Sequence, residues 1–176
     1  MHMGSKEFNL IKEKEPSMAN KKVKDRVDAL IERMNTFIIT TYGDGIKTAL
    51  GYLPFVVHND EVYVFPSTLA EHGTNLAKGA NATVMFIEDE HTAAKLPARL
   101  RGIFEIEYEA VENDEVLDKM EVEIDGDYAI MRHLSDFTLY KITMKNGRYI
   151  QGFGAAYLQD ENGDWKHNRP SVTTGN

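Results

Sequence analysis

Residues 36–65, TFIITTYGDGIKTALGYLPFVVHNDEVYVF, contain the pattern that decides the fold. Three runs rich in β-branched and aromatic residues are separated by two short polar turns, Gly43-Asp44-Gly45 and His58-Asn59-Asp60. Such residues favour strands, and short turns with Gly, Asn and Asp connect antiparallel neighbours. The stretch therefore predicts a three-stranded meander over residues 36–42, 46–57 and 61–65.

The rest of the chain adds strands and a few helices. Apolar spacing predicts an amphipathic helix from Asn20 to Met34, a short helix over 69–80 and a helix-prone acidic segment over 113–134. Further strands are predicted at 82–88, 99–111, 137–144 and 148–158, the last two joined by an Asn146-Gly147 turn. Because hairpins dominate, we predict a mainly β (α+β) fold, a small antiparallel barrel of about six strands with peripheral helices.

The chain is expected to have three segments. Residues 1–18 mix Lys and Glu without a sustained apolar period, so we interpret them as a flexible N-terminal arm. Residues 19–158 hold all the predicted elements and form the barrel domain. Residues 159–176 are mostly small and polar and are expected to be a C-terminal tail, ordered only where a partner or ligand holds it.

The composition excludes several classes of protein. The 176 residues carry 28 Asp and Glu against 20 Lys and Arg, a net charge of −8. This charge argues against a general nucleic-acid binder, because phosphate neutralisation needs a positive surface. No apolar run approaches the roughly 20 residues of a membrane helix, so no membrane partner is expected. The absence of Cys excludes thiolate metal sites, and without a secretory signal pattern we expect a cytoplasmic protein.

Arg99 and Arg101 are the first candidate ligand-binding residues. They lie two apart on a predicted strand and are therefore expected on one face of the sheet. Paired guanidinium groups are suited to phosphate or carboxylate recognition, and Lys95 upstream could add a third positive charge. The alternative is a solvated face on which both arginines pair with nearby acids such as Glu88 and Glu105.

A polar cluster at a strand-to-helix junction is the second candidate site. It consists of Ser67, Thr68, His72, Thr74 and Asn75. Hydroxyls and free backbone N–H groups at such a junction can hold a phosphate or a propionate. The alternatives are ordinary helix capping by Ser67 or Thr68 and a surface position for His72.

No histidine pair has the i, i+4 spacing of a metal-binding helix. His167 stands in an aromatic and basic context, where a mobile imidazole can reach a haem iron, although an exposed tail histidine is the alternative. Gly-x-Ser-x-Gly and Walker motifs are also absent, so a hydrolase or nucleotide phosphatase has no support.

Five motifs follow one another along the chain: Ser67-Thr68-Leu69-Ala70-Glu71-His72-Gly73-Thr74-Asn75-Leu76, Phe86-Ile87-Glu88-Asp89-Glu90, Ala98-Arg99-Leu100-Arg101, Leu134-Ser135-Asp136-Phe137 and Gly152-Phe153-Gly154-Ala155-Ala156-Tyr157. This succession resembles the HugZ/HutZ haem-utilisation family over roughly residues 20–158. That family belongs to the flavin-binding split-barrel group, which includes pyridoxamine 5′-phosphate oxidase. The resemblance implies a six-stranded antiparallel split β-barrel that forms a homodimer with ligand sites at the subunit interface.

The resemblance also implies roles for individual residues. Arg99 and Arg101 would face the cofactor or its acidic groups, and Ser67 and His72 match the polar junction. Asp136, the candidate catalytic residue, would lie near the partner subunit and orient a haem-ligating histidine through a hydrogen bond.

In that family the iron ligand is a histidine of the C-terminal tail, usually in a Gly-His-Arg run. The corresponding run here is Lys166-His167-Asn168-Arg169, at a displaced spacing. His167 is the only histidine of this tail, so the resemblance implies that it is the metal ligand.

Two classes of function follow, with a third that shares the ligands of the first. The first is a haem-degrading, oxygenase-like enzyme in which His167 binds the iron and Arg99 and Arg101 hold the propionates. The second is an FMN-dependent oxidoreductase in which Ser67, Thr68, Lys95 and the arginine pair bind the flavin phosphate. The third is a haem carrier without turnover.

Overall fold

The computed structural model describes residues 18–169. The helices are α1 (Met18–Ile31), α2 (Glu71–Ala77), α3 (Asp114–Glu123) and α4 (Tyr128–Met131), with a 3-10 turn at Leu96–Ala98. The strands are β1 (Thr36–Gly43), β2 (Ile46–Pro54), β3 (Val56–His58), β4 (Glu61–Val64), β5 (Asn81–Ile87), β6 (Arg101–Ala110), β7 (Tyr140–Gly152), β8 (Ala155–Gln159) and β9 (Trp165–His167).

All described strands belong to one curled antiparallel sheet, the half-barrel of a split-barrel fold. The strand order is β2-β1-β5-β6-β7-β4-β3, and β8 and β9 extend the sheet from β7. The fold class is confirmed, although nine described strands replace the expected six. The predicted strand over 46–57 is divided at Phe55, and β9 lies in the predicted tail.

The inner face of the sheet forms the main core. Alternate residues of each strand point inward, as the period of two predicts. Four phenylalanines from β1, β5, β6 and the β2–β3 connection pack edge-to-face or stacked, with ring centroids 5.4–6.1 Å apart: Phe37, Phe55, Phe86 and Phe104. Because these rings come from distant parts of the chain, they tie the meander to the later strands.

Helix α1 covers this core. Val23, Val27 and Leu30 recur at helical spacing and are buried against the sheet, which confirms the predicted amphipathic helix. α1 has 14 residues and is the longest described helix. None of the helices within residues 18–169 has the length and apolar character needed to cross a membrane.

The predicted acidic helical segment forms two helices around a second, smaller core. Asn113 caps α3 by accepting a hydrogen bond from Val116 N at 3.2 Å. Val116 and Met120 of α3 and Tyr128 of α4 pack against Phe65. These helices close the end of the sheet where β4 leads into α2.

The predicted Asn146-Gly147 turn is wrong. β7 runs through both residues, and the register with β6 shifts opposite them, between Ile103 and Glu105. Asn146 has a positive φ of 51°, so the pair forms a β-bulge rather than a hairpin turn. The hairpin turn lies farther on, between β7 and β8, where Gly154 has a φ of 72°.

The sheet extends past residue 158, where the barrel domain was expected to end. Strand β9 pairs with β8, and Trp165 is buried against the ring of Phe104 at a centroid distance of 6.2 Å. At the other terminus, Met18 begins α1, and residues 1–17 of the expected arm lie outside the described residues.

Candidate functional site

Ser67 and Asp136 join the β4–α2 connection to the loop before β7. The Ser67 hydroxyl donates to Asp136 Oδ2 at 2.5 Å, and Thr68 N donates to the Asp136 carbonyl oxygen at 2.8 Å. Ser67 also bridges to Phe137 across the same two segments. Two predicted site residues, 69 positions apart, are therefore in direct contact.

The polar groups of this junction are mostly engaged within the protein. Leu69 N donates to Ser67 Oγ at 3.0 Å, and Thr74 Oγ1 donates to the Thr68 carbonyl oxygen at 2.6 Å. Ala70 N donates to the Ser67 carbonyl oxygen at 3.2 Å. A phosphate placed here would have to displace these internal acceptors. The predicted helix capping by Ser67 or Thr68 is wrong as well, because the N-cap of α2 is Ala70 and no side chain caps the helix there. The Ser67 hydroxyl instead holds the turn before the helix.

Helix α2 packs tightly against the junction and β2. A Cβ at Gly73 would lie 2.0 Å from the Ser67 carbonyl oxygen, so only glycine allows this approach. The His72 ring lies over Gly51, where an added Cβ would be 2.5 Å from Nδ1. Burial lowers the pKa of His72, which favours a neutral imidazole.

Asn75 is buried and bound on both sides. Its Nδ2 donates to Thr41 Oγ1 and to the Lys47 carbonyl oxygen, each at 2.9 Å. These bonds connect α2 to β1 and to the start of β2. The Asn75 amide group therefore stabilises the α2 position, and its donors are engaged within the fold.

Arg99 and Arg101 lie at the beginning of β6. The spacing predicts both arginines on the strand, which is wrong for Arg99, because β6 begins at Arg101. The Arg99 Nε donates to the Glu88 carbonyl oxygen at 3.0 Å. Arg101 Nη1 donates to the Arg99 carbonyl oxygen at 3.0 Å. Neither guanidinium has a carboxylate partner among residues 18–169, so both can still neutralise an anion. Lys95 is exposed and begins the 3-10 turn upstream.

His167 is exposed on β9. It pairs with Tyr157 of β8, which pairs with Tyr149 of β7, so the three side chains form one row on one face. The His167 and Tyr157 rings meet edge-to-face at 5.2 Å. The predicted metal ligand is thus held on a paired strand rather than on a free tail.

The structure places Arg101 and His167 on opposite faces of the sheet. Tyr149, in the His167 row, pairs with Gly102, whereas Arg101 pairs with Ile150 of the neighbouring row. Successive residues of a strand point to opposite faces. Within one protomer, the two predicted haem-contacting groups are therefore not brought together.

Ser67 and Asp136 lie toward the other end of β6. Ala110, the last residue of β6, pairs with Tyr140, which pairs with Val64 just before the junction. The ten residues of β6 span roughly 30 Å at the usual rise per residue. The predicted residues thus form three separate groups: the junction, the arginine pair and His167.

Two basic residues on the His167 face were missed by the sequence analysis. Arg26 of α1 donates to Gln151 Oε1 at 2.6 Å, and Arg33 follows the end of the helix. Burial raises the pKa of the Tyr149 hydroxyl, and the charges of these two arginines act in the opposite direction. Their positions depend on how α1 packs across β7, which no local spacing in the sequence reveals.

A cavity of about 760 Å³ lies beside the Ser67–Asp136 junction. Its lining includes Phe137, Leu117 and Arg132, whose guanidinium donates to Asp118 at 2.6 Å and Asp114 at 2.9 Å. Nowhere in residues 18–169 do three or more His, Asp or Glu side chains form a metal-binding group. The described part of the chain therefore offers single histidines, rather than a multi-ligand cage, to a metal.

Comparison with known proteins gives a consistent set of relatives. The pyridoxamine 5′-phosphate oxidase family profile matches residues 23–151. The protein named heme oxygenase HutZ, from Vibrio cholerae, is 31% identical over 135 residues, which is 72% of this chain and 74% of HutZ.

Two solved structures extend the comparison. ChuZ from Campylobacter jejuni has a TM-score of 0.76 and 26% identity, covering 89% of this chain; the chain spans 66% of the length of ChuZ. The Vibrio cholerae HutZ structure, described as a heme storage protein, has a TM-score of 0.62 and 25% identity, covering 69% of this chain and 89% of HutZ.

Proposed function

This chain belongs to the pyridoxamine 5′-phosphate oxidase family, and on that premise we propose that it binds haem and serves in haem utilisation. The observation that carries the proposal is the placement of His167. Its imidazole is exposed, faces Tyr157 and stands on a strand paired with β8. An imidazole held in one place is a suitable axial ligand for haem iron.

The proposed unit is a homodimer, because one face of the sheet presents an apolar row. Tyr52, Ile38, Met85 and Ile103 are successive cross-strand partners on β2, β1, β5 and β6. This face is opposite to the one against which α1 packs, and Tyr52 and its neighbour Leu50 are 69% and 73% exposed. A second copy of the chain would cover this row and remove it from water.

A dimer also accounts for the separation of the site residues. Arg99 and Arg101 have no carboxylate partners in residues 18–169, and Asp136 Oδ1 makes no hydrogen bond there. A ligand that contacts these groups and His167 together is accommodated when they come from different protomers. In this arrangement the arginines hold the haem propionates, and Asp136 orients the imidazole of the other subunit.

The finer proposal is that the bound haem is degraded. When bound, haem with a reductant and O2 supplies the oxidative chemistry. The protein contributes the axial imidazole, charges for the propionates and a site enclosed between two subunits. Storage or transport without turnover uses the same ligands, and one relative is described as a storage protein. The experiment below therefore distinguishes storage from degradation.

An absorption titration of the purified protein with haemin tests the proposal. We expect a Soret band that saturates at one haem per protomer, and we expect His167→Ala to lose it. His133→Ala, which removes another exposed histidine, is the matched control and should bind as the parent does. Decay of the Soret band after ascorbate addition supports degradation, whereas a stable reduced complex supports storage. An unchanged band in His167→Ala contradicts the ligand assignment.

FMN binding is the second candidate, because the family profile that matches residues 23–151 is that of a flavin-dependent group. In this alternative, Lys95 and the arginine pair supply positive charge for the flavin phosphate, with Ser67 and Thr68 as further contacts. The same titration with FMN, followed by flavin fluorescence, tests it. Quenching that saturates at one FMN per protomer, with no saturable haem complex, would assign the protein to the flavin class.

A further inference from the structure

Asn20, in the first turn of α1, is joined through its side chain to the β8–β9 hairpin. Its Oδ1 accepts a hydrogen bond from Trp165 N at 2.8 Å, and its Nδ2 donates to Asp164 Oδ1. Asn20 is 8% exposed, so these bonds are shielded from water. They link segments 144 and 145 residues apart and therefore belong to the tertiary structure rather than to a local turn.

Strand β9 has few other attachments. It has three residues, and within residues 18–169 it pairs with β8 alone. Lys166 pairs with Asp160 at 2.5 Å, but Lys166 is exposed, and exposed ion pairs contribute little. Trp165 is the one buried residue of β9. The position of β9 therefore depends mainly on how the backbone and ring of Trp165 are held.

His167 follows Trp165 by two residues, so its side chain lies on the same face of β9. Its imidazole contacts the Tyr157 ring only while β9 stays paired with β8. A change in the docking of Trp165 would therefore move the imidazole as well.

We propose that Asn20 is a positioning residue for His167. By holding Trp165 N and Asp164, it docks β9 against α1 and sets the place of the imidazole. The position of His167 is thus controlled by the first turn of a helix that does not itself carry the ligand. The consequence for haem binding rests on the function proposed above, whereas the consequence for the His167 position does not.

A swap of the two polar groups tests the link specifically. Asn20→Asp keeps an acceptor for Trp165 N but places a second carboxylate against Asp164. An added Asp near the N-terminus of α1 should by itself stabilise the helix. Loss of β9 docking in Asn20→Asp can therefore be ascribed to charge repulsion between the two carboxylates at positions 20 and 164. Asn20→Asp combined with Asp164→Asn restores a carboxylate–amide pair with the roles exchanged. Rescue by the double variant is expected, since directly contacting residues are energetically coupled.

Two readouts follow the position of β9 without haem. Trp165 is the only tryptophan of the chain, so its emission reports whether the indole is buried. The His167 proton signals in NMR carry a ring-current shift from Tyr157. In Asn20→Asp we expect red-shifted Trp165 emission and loss of that shift, and in the double variant a return of both. Unchanged signals in Asn20→Asp, or failure of the double variant to restore them, would overturn the proposal.

Haem titration of the same variants separates the two proposals. If β9 is docked in a tenth of the Asn20→Asp molecules, apparent haem affinity falls about tenfold, and the double variant recovers it. A parent protein that forms no His167-dependent haem complex overturns the proposed function, while fluorescence and NMR still decide the role of Asn20. Moved Trp165 and His167 signals with unchanged haem affinity overturn the control of ligand binding by Asn20.

Discussion

Gly147 of β7 and Trp165 of β9 are in direct contact. A Cβ at Gly147 would lie 2.6 Å from the indole Cη2 and 2.7 Å from the Phe104 ring. The β-bulge at Asn146 and Gly147 therefore makes room for two large rings. A glycine in a strand often marks such a close approach.

Replacing Gly147 by alanine should destabilise the protein, because neither ring can move away without disturbing the core. We expect a loss of about 2 kcal/mol in the free energy of unfolding, typical of overpacking. Urea unfolding monitored by Trp165 fluorescence measures this loss of stability.

Gly126→Ala is the matched control for this prediction. Gly126 lies in the α3–α4 connection, where an added Cβ meets no atom within 4 Å, so its replacement should be neutral or slightly stabilising. Equal unfolding midpoints for the two variants would contradict the close contact at Gly147.

The Asn146-Gly147 pair shows why part of the fold could not be read from the sequence. Asn-Gly between two apolar runs is a strong hairpin signal, and local spacing contains nothing against it. The bulge is selected by Trp165 and Phe104, which come from other strands. By contrast, the α1 helix and the hairpins β1–β2 and β3–β4 follow from local periodicity and are confirmed. The continuous three-stranded meander is not, because its middle strand is divided at Phe55 and its two parts, β2 and β3, lie at opposite ends of the strand order.

A charged substitution on the apolar row of the sheet should dissociate the proposed dimer into monomers. Tyr52→Lys places a charge on the face that a second copy would cover, and desolvating an unpaired charge is costly. Sedimentation of the parent is expected to give twice the chain mass of 20.0 kDa, and that of Tyr52→Lys the chain mass itself.

Val122→Lys is the control for the dimer prediction. Val122 is 85% exposed on α3, away from the apolar row, so its replacement should leave the dimer intact. A dimeric Tyr52→Lys protein, or a monomeric parent, would show that the row is not the subunit interface.

Acidic pH should weaken the fold through His72. Burial lowers the pKa of His72 in the folded protein, so between that pKa and the unfolded value of about 6.5 the unfolded chain binds more protons. The contribution of His72 is therefore present above about pH 6.5 and is lost as the pH falls. Urea midpoints of the parent and His72→Gln measure it, and we expect the acid loss to be smaller in His72→Gln.

His133→Gln provides the comparison for the pH prediction, because His133 is exposed after α4. The His133→Gln protein should lose as much stability between neutral and acidic pH as the parent does. The same pH dependence in the parent and His72→Gln would assign the loss to other groups.

The candidate site was predictable as a set of residues but not as an arrangement. The resemblance named Ser67, Asp136 and His167, yet the contact between the first two spans 69 positions. Which face each side chain occupies depends on register across β6, β7, β8 and β9. Register is a tertiary property, so spacing along one strand could pair Arg99 with Arg101 but could not place them relative to His167.

Asp136→Asn and Ser67→Ala should separate the charge of Asp136 from its position. An asparagine can still accept the Ser67 hydrogen bond, so Asp136→Asn should keep most of the stability but remove the negative charge. Ser67→Ala leaves the carboxylate and removes the bond, at a cost of about 1 kcal/mol. If Asp136 orients the haem-ligating imidazole, Asp136→Asn should weaken haem binding about tenfold and shift the Soret band, whereas Ser67→Ala should change affinity less. Equal haem affinity and equal spectra in the parent and Asp136→Asn would limit Asp136 to joining the two loops.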